Sequence, residues 1–157
     1  ICTVLNSISA RLLVSMACED GRSLKSGDCK NAFCNGILPE DEICIVKLPK
    51  GCPRTPKGCY WKLNKTLYGL CRSPHHWYKK ITGHLIKDMG FKAIPQDNCV
   101  LKCTPIPGET AIYVGIYVDD FIYYSKFDKV EHWFESNLKS HVKVDFMGDV
   151  EWFPGQR

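Results

Sequence analysis

Ala111-Ile112-Tyr113-Val114-Gly115-Ile116-Tyr117-Val118-Asp119-Asp120-Phe121-Ile122-Tyr123-Tyr124-Ser125 is the stretch that decides the fold. Fifteen residues rich in β-branched and aromatic side chains are strongly β-forming, yet two adjacent aspartates interrupt them at the centre. The pattern predicts a β-hairpin whose turn carries two carboxylates. Such a pair is costly. Neighbouring like charges raise each other's pKa unless a cation lies between them, and oxygen-rich sites of this kind suit Mg²⁺. A polar turn is the plainer reading of Asp-Asp. The apolar β-formers on both sides add a rigid support, which a metal site needs and a mere turn does not.

Outward from the hairpin, the chain alternates helical and extended signals. Asn6 or Ser7 can cap a helix running to about Cys18, with Ile8, Leu12 and Met16 on its expected core face. A strand is expected at about Leu24 to Asp28, and a tight helical turn from Ala32 to Leu38 before Pro39. Ile43 to Val46 and Tyr60 to Leu63 read as the arms of a long-tipped hairpin, with the Pro- and Gly-rich Leu48 to Gly58 between them. Ser73-Pro74 starts a helix in which Trp77, Ile81 and Leu85 recur every four residues until Gly90. Asp128 and Glu131 have capping-box spacing for a helix with Val130, Trp133, Phe134 and Leu138 on its apolar side, and a strand follows near Val142 to Phe146. This order favours an α+β fold with antiparallel hairpins over a doubly wound parallel sheet.

Composition fits one ordinary domain. The 157 residues are 45% hydrophobic and 24% charged, enough for a core without staples and unlike a disordered or fibrous chain. The longest apolar run, Ala111 to Val118, is far short of the roughly 18 to 20 residues of a membrane helix, so no membrane partner is expected. No initiator Met or secretory leader opens the sequence, which reads as a piece of a longer protein. Ten cysteines are present, but several (Cys18, Cys29, Cys34, Cys44) fall inside apolar or motif segments, where small thiols pack readily. A reducing, intracellular setting is expected. A zinc site at Cys52, Cys59, Cys99, Cys103 and His75-His76 is disfavoured, because these residues lack any familiar zinc spacing.

The net charge is only +4, but Ile43 to Lys87 contains ten Lys and Arg and no Asp or Glu. Tyr60, Trp61, Tyr68, Trp77 and Tyr78 are interleaved with those cations. Uncompensated positive charge beside aromatic rings suits a phosphate backbone with bases to stack, so nucleic acid is the expected partner.

A third carboxylate, from a neighbouring strand, is needed to hold two ions about 4 Å apart. Asp28 is the candidate. It ends a predicted strand, and the following Cys29-Lys30-Asn31-Ala32-Phe33 turns into a helix start whose N–H groups can face a triphosphate. Phe33 would place a ring beside the nucleotide sugar, where it could exclude a 2′-hydroxyl. Taken alone, Phe33 also fits as a core aromatic.

Three blocks in order carry a resemblance: Asp28-x-x-x-Ala32-Phe33-x-Asn35-Gly36; then Leu67-Tyr68-Gly69-Leu70 with Ser73-Pro74-x-x-Trp77-Tyr78; then Tyr117-Val118-Asp119-Asp120. From about Arg11 to Gly155 the chain resembles the reverse transcriptases of copia-type retrotransposons. The resemblance implies a polymerase palm, an antiparallel sheet backed by helices with part of the fingers, forming a single domain fragment of a Pol polyprotein over residues 1–157. It implies that Asp28, Asp119 and Asp120 hold two Mg²⁺ ions, with Mn²⁺ as the alternative. Cys29 to Phe33 would then meet the deoxynucleoside triphosphate, and Gly69, Arg72, Ser73, Pro74, Tyr117 and Val118 the template and primer. Its implied reaction is in-line attack of a primer 3′-hydroxyl on the α-phosphate of a deoxynucleotide, on an RNA or DNA template. RNase H and integrase are the implied neighbours in the polyprotein, and a virus-like particle in the cytoplasm, or the nucleus, is the implied location. Lys139 or Lys143 is a candidate general acid for the leaving pyrophosphate.

Two departures from the family pattern stand out. Cys71-Arg72 replaces a common Lys-Gln pair, and Phe153-Pro154-Gly155 puts a proline where the family commonly has a leucine. The competing reading, from another class, is a non-catalytic or degenerate remnant that keeps only a nucleic-acid binding surface.

Overall fold

A computed structural model describes residues 4–49, 51–52 and 58–150. Its elements are α1 (Ser7–Glu19), β1 (Lys25–Cys29), α2 (Ala32–Asn35), β2 (Ile45–Lys47), β3 (Tyr60–Lys62), α3 (Ser73–Lys87), β4 (Lys92–Ile94), β5 (Asp97–Cys103), β6 (Ile112–Tyr117), β7 (Asp120–Ser125), α4 (Asp128–His141) and β8 (Val144–Asp149). Six strands form one sheet in the order β4-β5-β6-β7-β1-β8, and every neighbouring pair is antiparallel. β2 and β3 form a separate two-stranded ribbon. The α+β expectation holds. The segment between Gly90 and Ala111, for which the sequence pattern carries no expectation, supplies β4 and β5.

The hairpin stretch is apolar throughout because its sheet is covered on both faces. Along β7, Phe121 and Tyr123 enter a core with Trp77, Ile81 and Leu85 of α3 and Phe134 and Leu138 of α4. Ile122 and Tyr124 enter a second core with Leu13 and Ala17 of α1. Period-2 alternation therefore sorts side chains between two hydrophobic layers, with no polar face to break the run.

α1 begins where expected, with Asn6 Oδ1 accepting from the Ile8 N–H at 2.9 Å. Its buried stripe, however, is Ala10, Leu13 and Ala17, whereas Ile8 and Leu12, expected in the core, are 73% and 56% exposed. Leu13 seats over Gly115, where a Cβ would lie 3.0 Å from Leu5 and 3.1 Å from Leu13, so the glycine makes room for this face of the helix.

The capping box at Asp128 and Glu131 does not form, since Phe127 is the N-cap residue and no side chain caps the helix. Glu131 is instead wholly buried, where it pairs with Lys25 Nζ at 2.8 Å and Arg22 at 3.1 Å and accepts from the Ser125 N–H at 3.0 Å. A buried carboxylate is tolerated only with such partners. Phe153-Pro154-Gly155 lies outside the described residues. No described helix is long and apolar enough to cross a membrane.

Candidate active site

The sheet topology brings the predicted acids together. β1 lies between β7 and β8, so Asp28 has Asp120 directly opposite on one side and Asp145 on the other. Residues opposed in an antiparallel pair project from the same face, so three carboxylates stand abreast on three strands. Asp119 occupies the β6–β7 turn beside them, and its carbonyl accepts from the Cys29 N–H at 2.8 Å. That bond ties the turn directly to the end of β1.

Electrostatics register the crowding. Burial raises the Asp28 carboxyl above its ordinary range, and the charges of Asp119 and Asp145 push the same way against Lys30. The Asp120 carboxyl is raised as well, first by burial and then by Asp119 and Asp28. Oxygen donors with this mutual repulsion are the set a hard divalent cation would neutralise. One oxygen from each of the three predicted aspartates does not close to within 4.8 Å of the others, so the cluster is wider than a single-ion cage.

The turn is under strain. Val118 sits at φ 59°, in the left-handed region that β-branched residues rarely occupy. Trp77 Nε1, from the first turns of α3, donates to the Val118 carbonyl at 2.9 Å, and the β6–β7 ladder fixes both flanks. A strained residue held by its surroundings at an acidic turn is a feature of functional sites. Gly27 is required on the neighbouring strand, because a Cβ there would meet the Phe121 ring at 2.4 Å. Gly36 is similarly forced: its Cβ would lie 2.3 Å from Thr66 Oγ1, where the block around α2 packs on the start of α3.

Phe33 packs its ring against Tyr68 at 5.0 Å between centroids, and burial together with the charges of Asp119 and Asp28 raises the Tyr68 phenol. Tyr68 therefore packs on Phe33 within electrostatic reach of the acids. The other predicted nucleotide contacts divide. Cys29 is buried, its thiol pushed up to about 12 by burial first, and its N–H is spent on Asp119. The Lys30 N–H donates to the Lys143 carbonyl at 3.0 Å, while its ammonium pairs with Asp145 at 2.7 Å. Ala32 is fully buried and has no side chain to offer beyond a methyl. Asn31, at φ 53°, turns the chain into α2. From this segment, then, Lys30, Asn31 and Phe33 are the residues whose side chains remain open to a ligand.

Among the predicted template and primer residues, Gly69 takes φ 92° in an open turn, Pro74 starts α3, and Arg72 is exposed and paired with Glu42 at 3.1 Å. Ser73 is a correction: it is buried, and its hydroxyl donates to the Leu67 carbonyl at 2.6 Å, folding the Leu67 to Leu70 loop onto α3. Tyr117 packs against the α1-side core and lies opposite Asp120. Lys139 lies 5.2 Å over the Phe146 ring. The cysteine and histidine set weighed for zinc does not gather. Cys99 and Cys103 are buried in β5, Cys59 is exposed, and His76 pairs with Glu42 at 3.0 Å.

An α+β domain with an acidic cluster at one end of an antiparallel sheet defines a class. The family description "Reverse transcriptase (RNA-dependent DNA polymerase)" matches residues 2–156, so the chain belongs to that family, within its copia-type branch. It is 26% identical over 97% of its length to the Retrovirus-related Pol polyprotein from transposon RE1 of Arabidopsis thaliana, of which it covers 10%. It is 32% identical over 78% of its length to that from transposon TNT 1-94 of Nicotiana tabacum, of which it covers 9%. A truncated transposon Ty1-A Gag-Pol polyprotein of Saccharomyces cerevisiae is 35% identical over 41% of this chain, which covers 5% of it. The chain thus spans about a tenth or less of the length of these relatives. No solved structure matches.

Proposed function

We propose that this chain carries the palm-type catalytic centre, with part of the fingers, of an RNA-directed DNA polymerase that extends a primer 3′-hydroxyl with deoxynucleotides. The observation that carries the reading is the β1–β7 register, which sets Asp28 opposite Asp120 with Asp119 in the adjoining turn. Asp28, Asp119 and Asp120 would hold two Mg²⁺ ions, and Mn²⁺ could replace them. Bound there, the ions supply activation of the primer hydroxyl and charge neutralisation at the pyrophosphate.

The protein's own part is positioning. Trp77 holds the Val118 carbonyl and so fixes the turn, and the Cys29 N–H holds the Asp119 carbonyl and fixes the turn against β1. Phe33, backed by Tyr68, would lie against the sugar and disfavour a ribonucleotide. Lys30 could turn from Asp145 to the triphosphate, since both side chains are about half exposed. Primer and template would run along the basic surface of Arg72, Lys79 and the β2–β3 ribbon, where Tyr60 and Trp61 offer rings for stacking. RNase H and integrase are the proposed neighbours in the parent polyprotein, in a particle within the cytoplasm or the nucleus.

Primer extension on an RNA template with Mg²⁺ tests this directly. Asp119→Asn should lower extension by roughly a hundredfold or more while leaving salt-sensitive binding of primer-template nearly unchanged. Extension by the mutant, or equal loss of binding and extension, would instead favour a non-catalytic binding module.

A further inference from the structure

A second group of potential ligands lies where α3 and α4 end together. His84 is on the last turn of α3, Asp88 caps that helix, and His141 is the final residue of α4. One ligand atom from each lies within 4.8 Å of the other two, and among the described residues no other group of three does so. The imidazole rings of His84 and His141 face each other at 3.9 Å between centroids.

Three features separate this group from a chance surface cluster. First, His141 Nδ1 lies 3.1 Å from the Asn137 carbonyl and 2.6 Å from the Ser140 hydroxyl, and in the tautomer that donates to the carbonyl Nε2 keeps its lone pair for a ligand. A histidine ligand to a metal usually donates its other N–H to a carbonyl in this way. Second, His84 is only 10% exposed, and its Nδ1, at 2.5 Å from Asp88 Oδ2, is the ring nitrogen turned toward the group. Third, His84 and Asp88 are spaced i, i+4 on one helix face, which presents two ligands side by side, while a separate helix supplies the third.

We propose that His84, Asp88 and His141 form a Zn²⁺ site that joins the C-terminal ends of α3 and α4. Two imidazoles and one carboxylate are a borderline-soft set, better matched to Zn²⁺ than to Mg²⁺, with water in the fourth position. Tetrahedral ligands at ordinary zinc distances stand roughly 3.3 to 3.5 Å apart. Asp88, at 2.5 Å from His84 Nδ1, would open to that spacing and His141 would move to meet it, both being exposed at helix ends away from the core. The site is independent of the polymerase reading, and its effect is structural: bound metal would pin together the two helices that cover one face of the sheet.

Zinc titration of the metal-free chain by calorimetry and thermal melting tests the proposal, alongside His141→Ala, Asp88→Asn and Asp119→Asn. Wild type should bind one equivalent at this site and melt higher with it. His141→Ala and Asp88→Asn should each weaken that binding roughly tenfold or more and lose the shift in Tm, with metal-free melting nearly unchanged. Asp119→Asn should keep both. Co²⁺ in the same site should show a nitrogen- and oxygen-ligated spectrum without a thiolate charge-transfer band. Wild-type affinity in both His141→Ala and Asp88→Asn, loss of the site in Asp119→Asn, or a thiolate band would overturn it.

Discussion

At the scale of single residues, the acids that matter are legible from local pattern, and their neighbours are not. Asp119 and Asp120 break a β-forming run, and Asp28 ends a strand, so each stands out along the chain. Asp145 joins them only through the β1–β8 register, and Tyr68 only by packing on Phe33, and neither has a local signal. Glu131 shows the opposite error. Its spacing from Asp128 reads as a cap, yet its partners Arg22 and Lys25 are more than a hundred residues away in sequence. Raised carboxyls at Asp28 and Asp120 give a testable pH dependence. A raised acid penalises the folded state when ionised, so metal-free stability should fall as pH climbs from about 4 through the raised range. Mg²⁺ should offset that fall, raising Tm more at neutral pH than below pH 4. Metal-free Asp119→Asn should melt roughly 1 to 2 °C higher than wild type at neutral pH, because a like charge is gone and solvent screens the rest. Melting curves across pH, with and without Mg²⁺, check the sign.

At the scale of elements, segments with a local signal are readable in the sequence, the short β1, α2, β2 and β3 among them, and β4 and β5 are not. Trp77, Ile81 and Leu85 mark α3, and all three are buried. The same periodicity misplaces the face of α1, because hydrophobicity alone favours Ile8 and Leu12 whereas the buried stripe is Ala10, Leu13 and Ala17, with Leu13 seated over Gly115. β4 and β5 carry no local signal, since Pro95, Asp97, Asn98 and Lys102 interrupt any apolar pattern there, and register with β6 supplies what the pattern lacks. The bond from Trp77 to Val118 joins α3 to the β6–β7 hairpin, and under the proposed function its loss should be felt in both stability and rate. Trp77→Phe leaves the Val118 carbonyl without its donor and removes ring volume from the core. It should destabilise by about 1 to 3 kcal/mol and slow primer extension. Thermal melting paired with extension assays separates the two effects.

At the scale of the whole molecule, the basic stretch becomes a surface. Lys62, Lys65 and Lys79 are exposed, with Tyr60 and Trp61 on the same outlying ribbon as Lys62. Their composition was evident in the sequence, but the separation of this ribbon from the main sheet was not, because nothing local says which strands pair. If all three lysines meet phosphates, replacing them with glutamine should reduce the slope of log affinity against log salt by about 2 to 3 on duplex DNA. The weakening should be the same for unrelated sequences, measured by titration at several salt concentrations. The seating of β1 between β7 and β8 also has a consequence during synthesis. Within this segment β1 is made well before β7 and β8 and waits for both before it gains either neighbour, so its long-range contacts make folding slow. A nascent chain halted before residue 120 holds Asp28 on an unpaired edge, and no abortive product of that kind can assemble the acidic centre.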